Sequence, residues 1–134
     1  MAKRWDERIS DYGKALERLE EAINDSKKIE LSSIRDGVIQ RFEFTLELAW
    51  KTMKYYLNYE GIEEAKSPRS TIRGGFNTGI IKNSKLWIDM IEDRNLTTHT
   101  YSQSTSDEIY DKIVEEYYME LKVFYEKMKD SEVE

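Results

Sequence analysis

The sequence has no cysteine, one proline and one histidine in 134 residues. Without cysteine there is neither a disulfide framework nor a thiolate metal site, which agrees with a reducing compartment. No run of about 18 apolar residues exists to cross a membrane. The opening Met-Ala-Lys-Arg-Trp-Asp-Glu-Arg lacks the apolar stretch of a secretory signal. A cytoplasmic location without a membrane partner is therefore expected. There is also no low-complexity linker and no internal repeat, so a chain of this length reads as a single domain over residues 1–134. No nucleotidyltransferase signature is present, because no Gly-Ser pair precedes an Asp-x-Asp metal site. No metal site and no cofactor are expected.

Acidic residues are missing from one long basic stretch. Between Ala65 and Ile88 there is no Asp or Glu, while Lys66, Arg69, Arg73, Lys82 and Lys85 fall there, in a chain whose net charge is −6. That balance argues against a general nucleic-acid coat protein, since phosphate binding is driven by Lys and Arg. The basic island reads either as a solvated face of mixed charge or as a rim facing phosphates or an acidic partner.

What the sequence does contain is helical periodicity, with 36% charged and 39% hydrophobic residues to divide between surface and core. Trp5, Ile9, Tyr12, Leu16, Leu19 and Ile23 recur at steps of 4 and 3, which predicts an amphipathic helix over about residues 3 to 27. Ser33 with Asp36 resembles a capping box ahead of a second helix carrying Ile39, Phe42, Leu46, Ala49, Met53 and Tyr56. Phe44, Leu48, Trp50, Tyr55 and Leu57 lie off that seam, and this excess apolar surface suggests a subunit interface. Gly61 closes the helix. Ser67-Pro68 reads as an N-cap with proline at the first helical position, opening a short third helix that ends near Gly79 and that Gly74-Gly75 makes marginal. Ser84 is expected to cap a fourth helix with Trp87, Met90 and Ile91 inward. The Ser104–Ser106 cluster opens a fifth, carrying Ile109, Ile113, Tyr117, Leu121, Phe124 and Met128. No strand pattern competes. The fold class is all-α: an antiparallel four-helix bundle with an extra short helix.

Chemistry concentrates in Asp93-Arg94-Asn95-Leu96-Thr97-Thr98-His99-Thr100-Tyr101. Arg94 follows Trp87 by seven and Met90 by four, placing a charge on the inward stripe, where it needs a partner or a cleft. His99 and Arg94 diverge by about 140° on an ideal helix, so they converge only if the helix ends nearby or a second subunit completes the site. A structural reading stands beside this one. A lone histidine near a helix C-terminus serves as a cap or dipole partner, and the arginine anchors a salt bridge to Glu43 or Glu47.

The run from Ile39 to Lys51, the Ser67-Pro68-Arg69 turn and the stretch from Leu86-Trp87 to Tyr101 together cover nearly the whole chain in order. In these residues the sequence resembles the nucleotidyltransferase substrate-binding proteins of the HEPN superfamily, partners of minimal nucleotidyltransferases in HEPN/MNT toxin–antitoxin pairs. The resemblance implies a dimerising HEPN-like helical bundle whose Arg-x4-His-x-Tyr motif faces the dimer cleft. It gives Arg94 and His99 the roles of metal-independent RNA cleavage, with Asn95 as the polar residue after the arginine. Tyr101 matches the tyrosine that the partner nucleotidyltransferase adenylylates to silence the toxin. Arg69, Arg73 and Lys66 are the expected contacts to RNA or nucleotide. Three functions remain open: a toxin ribonuclease, a non-catalytic subunit presenting nucleotide or substrate to a nucleotidyltransferase, and a structural adaptor. Arg94 on an apolar stripe argues against the adaptor.

Overall fold

Side chains three and four positions apart share one helix face, and an apolar stripe of that spacing must be buried against another element. The chain satisfies this with helices throughout the described residues, which in this computed structural model are 2–97, 102–131 and 133. They form α1 (Ala2–Lys28), α2 (Ser32–Tyr59), α3 (Pro68–Thr78), α4 (Ser84–Thr97), α5 (Gln103–Lys112) and α6 (Tyr118–Lys129). A π-helical turn, Ile113–Tyr117, joins α5 and α6 into one rod.

The four rods run up, down, up and down. The Thr45 hydroxyl donates to the Ala15 carbonyl and Arg41 to that of Arg18, while Trp5 stacks on Tyr55, so α1 and α2 are antiparallel. Glu47 meets Arg94 and Glu43 meets Thr97, which sets α4 antiparallel to α2. Trp87 donates to Glu120 and Tyr117 to Asp93, reversing the α5–α6 rod against α4. The predicted seams meet in the centre, where Tyr12, Leu19, Phe42, Leu46, Met53, Trp87 and Met90 are fully buried. Burial of side chains this size contributes about 1.5–3 kcal/mol each.

The helix ends differ from expectation in instructive ways. Ser67 accepts from the Ser70 amide and Ser70 from that of Ser67, a reciprocal cap with Pro68 behind it, and Gly79 closes α3 at φ 84°. The Ser33–Asp36 box does not form. Helix α2 starts two residues earlier, behind Leu31, which offers no capping side chain. Ser84 lies inside α4, and the Asn83 carboxamide accepts from the Leu86 amide in its place. Ser102, rather than the Ser104–Ser106 cluster, caps α5.

Gly74 and Gly75 prove to be contact residues. A Cβ on Gly75 would meet Met53 Sδ at 2.6 Å, and one on Gly74 would meet Leu57 Cδ1 at 3.1 Å. Their lack of a side chain lets α3 lie close on α2. The suggested excess surface of α2 is also largely consumed within the chain. Leu57 and Trp50 are buried and Tyr55 lies between Trp5 and the Arg8 guanidinium. Phe44 remains, 62% exposed.

Candidate functional site

A half-buried guanidinium loses water and must find an anion. Arg94, in the last turn of α4, finds Glu47 of α2, with Nη2 2.8 Å from Oε2. The same carboxylate accepts from Trp50 Nε1 at 3.2 Å and pairs with Lys51 Nζ at 3.0 Å. Burial pushes the Glu47 carboxyl up, but the bonds from Lys51 and Trp50 and the charge of Arg94 outweigh it and hold it below its usual range. One turn earlier on α2, Glu43 accepts from the Thr97 hydroxyl at 3.1 Å. Two carboxylates spaced by one turn therefore hold α4 at Arg94 and Thr97. His99 and Tyr101 lie outside the described residues, as do Thr98 and Thr100.

The deepest charge on α4 is not Arg94. Asp93 is 7% exposed, whereas the Arg94 side chain keeps 30% of its surface on the flank facing α2. Asp93 accepts from the Tyr117 hydroxyl and pairs with Lys112 at 3.5 Å. Burial, then the bond to Asp93, push the Tyr117 phenol far up, so it remains a donor across the biological range. The sequence signal for Asp93 was its place three residues after Met90, on the same stripe.

Asn95 and Arg69 line one open groove of about 700 Å³ between α3, α4 and α5, with Lys85, Asp89, Glu92, Asp93 and Lys112. Arg94 is not in its lining. Each of the groove's cations meets a carboxylate: Arg69 with Glu92 at 3.2 Å, Lys85 with Asp89 at 3.0 Å, and Lys112 with Asp93. Folding thus sets the acids of α4 against the basic island of the sequence. Lys66 and Arg73 are exposed beside Arg69 on and ahead of α3, and no ion pair involves them among the described residues.

The chain is similar to known proteins in sequence and fold. The probable ribonuclease HepT of Haemophilus influenzae is 33% identical over 81 residues, 58% of this chain and 56% of that protein. The chain thus spans little more than half the length of this curated relative. A Thermus thermophilus protein of known structure is 31% identical at a TM-score of 0.78, covering 88% of this chain and 98% of its own. The fold is also that of a tri-AMPylated Shewanella oneidensis HEPN toxin solved in complex with an MNT antitoxin. There the TM-score is 0.80 at 16% identity, over 98% of this chain and 100% of that one. The family model described as nucleotidyltransferase substrate binding protein like matches residues 7–130, and the chain belongs to that family.

Proposed function

We propose that the chain is the toxin of a HEPN/MNT pair, a metal-independent endoribonuclease that a partner nucleotidyltransferase silences by adenylylating Tyr101. The observation that carries this is Arg94, a guanidinium withdrawn from solvent, held by Glu47 at 2.8 Å and placed five residues before the sole histidine. A cation fixed in this way is pre-oriented for a second anion. Similarity to a probable ribonuclease supports the same reading.

In the proposed reaction the ribose 2′-hydroxyl attacks the adjacent phosphorus and the bond from phosphorus to the 5′-oxygen breaks, leaving a 2′,3′-cyclic phosphate and a 5′-hydroxyl. His99 takes the proton from the 2′-hydroxyl, and Arg94 stabilises charge on the phosphoryl oxygens. A homodimer supplies the second His99, which returns a proton to the leaving oxygen. Asn95 donates to an oxygen of the bound strand, and Arg69, Arg73 and Lys66 contact flanking phosphates from the α3 side. Adenylylation joins the Tyr101 phenolic oxygen to the α-phosphorus of ATP and releases pyrophosphate. The added bulk and negative charge beside Arg94 then exclude RNA. The work is cytoplasmic.

The test is cleavage of a structured RNA in excess EDTA. His99→Ala should lose about 10²–10⁴ in rate with fold and dimer unchanged, and Arg94→Ala should abolish cleavage. In the presence of ATP, magnesium and the cognate nucleotidyltransferase, intact mass should gain one adenylyl group or more, and Tyr101→Phe should remove that gain. The family description favours a second reading, a non-catalytic subunit presenting substrate to the nucleotidyltransferase. RNA or nucleotide binding without cleavage by the unmodified wild-type dimer would make it the better one.

A further inference from the structure

Beyond Arg94, α2 continues with Lys51 and Lys54, which lie one turn apart and on the side of Glu47, since steps of three and four return to one helix face. Together with Arg8 of α1 they line a groove of about 410 Å³, completed by Trp50, Tyr55 and Asn58. No carboxylate contributes to this lining. Arg8 is fixed in place, its guanidinium 4.6 Å from the centre of the Tyr55 ring, which Trp5 stacks against at 5.9 Å. Its Nε is buried and has no hydrogen-bond partner among the described residues. Among those residues neither Arg8 nor Lys54 forms an ion pair, in contrast to Arg69, Lys85 and Lys112 across the molecule.

The groove adjoins the candidate site through shared atoms. Lys51 and Trp50, both in its lining, bond the same carboxylate that holds Arg94. Of the three cations only Lys51 is paired among the described residues, and to a carboxylate already shared with Arg94, which leaves the lining with unbalanced positive charge. The groove on the α3 side balances three cations with three carboxylates. Between the two groove linings, the first has the greater unpaired charge for a polyanion.

We infer that Arg8, Lys51 and Lys54 form a phosphate track that holds the backbone of an RNA strand whose scissile phosphate lies at Arg94. The track rests on the ribonuclease reading above, and it enters through charge and position rather than base identity, because backbone contacts carry no sequence information directly. The strand runs along α2, and its flanking phosphates replace solvent around Lys54 and Arg8.

Binding of a labelled single-stranded RNA of mixed sequence, measured against salt concentration, tests this. The background is His99→Ala, in which cleavage is slowed enough for binding to be read. Each phosphate contact contributes about 0.7 to the slope of log affinity against log salt for a single strand. Arg8→Gln with Lys54→Gln should lower the slope by about 1.4 and weaken binding about 20-fold at 0.1 M salt. Lys54→Gln alone, at a half-exposed position, should give about half the slope change and guards against misfolding of the double variant. Lys27→Gln with Lys28→Gln removes the same charge roughly 30 Å along α1 and should change affinity less than about twofold.

Intact affinity in the Arg8/Lys54 double variant, with RNA still bound and cleaved by the wild type, would overturn the track and leave the ribonuclease reading standing. Equal losses in the two double variants would reduce the effect to net charge and also overturn it. Loss of the nucleotidyltransferase complex with RNA affinity unchanged would assign this surface to the protein partner instead. Failure of the unsubstituted protein to bind or cleave RNA would remove the reading beneath the track as well.

Discussion

Glu47 accepts from a guanidinium, an indole and an ammonium at once, and its carboxyl is held low as a result. A carboxylate depressed in the folded state adds stability above its unfolded pKa, about 4.3, and loses it as pH falls through the lower folded value. Thermal melts should therefore show the wild type losing Tm below about pH 4.3 more steeply than Glu47→Gln. Parallel profiles would mean that its charge contributes nothing. This partner was visible in the sequence as one of two candidates, because Glu43 and Glu47 sit one turn apart and only the placement of α4 assigns Arg94 to one and Thr97 to the other. The depth of Asp93 was not visible. Adjacent residues point about 100° apart on a helix, so which of Asp93 and Arg94 faces inward depends on the rotation of α4, a property of its packing.

At the scale of elements, apolar seams were legible because burial enforces them, whereas caps were not. Several polar residues near each helix start could accept an amide, and a shift of one or two residues exchanges Ser84 for Asn83 or Ser104 for Ser102 at little energetic cost. The glycine pair was misread for a related reason. Helix propensity alone penalises Gly75 by about 1 kcal/mol against Ala, but its place against Met53 is a tertiary fact. Gly75→Ala should destabilise by about 1–3 kcal/mol through overpacking, read as a lower urea midpoint at unchanged m-value. Stabilisation would show that α3 can move off α2 freely. The charge of the α3 stretch was likewise legible in one dimension only, since Glu92 arrives opposite Arg69 through the α3–α4 packing, while Asp89 pairs with Lys85 one turn away on α4 itself.

As a whole molecule, the chain is expected to work as a homodimer, because with one histidine per chain a two-fold pair is the natural way to present a base and an acid together for the proposed cleavage. Phe44 on α2, 62% exposed beside Arg41, and Leu96 on α4, 48% exposed, are large apolar side chains open to such a contact. Light scattering at micromolar concentration should give twice the chain mass, and Phe44→Glu should shift it toward the monomer; a wild-type monomer would defeat the expectation. The π-turn acts at this scale too. Ile109, Ile113, Tyr117 and Leu121 recur every four residues and all face the core, although a regular helix of 3.6 residues per turn would rotate the last about 120° from the first. The wider turn at Ile113–Tyr117 absorbs that drift. The rod therefore counts residues as strictly as it selects them: between the end that packs on α2 and the end that packs on α1, one position is a spacer. Deleting Val114 should let the stretch run as regular α-helix with Leu121 only about 20° from Ile109, keeping both ends in phase, and lower Tm far less than deleting Val123 in the regular part of the rod. A missing residue can thus be absorbed at the spacer, whereas elsewhere it rotates the rest of the rod by about 100°.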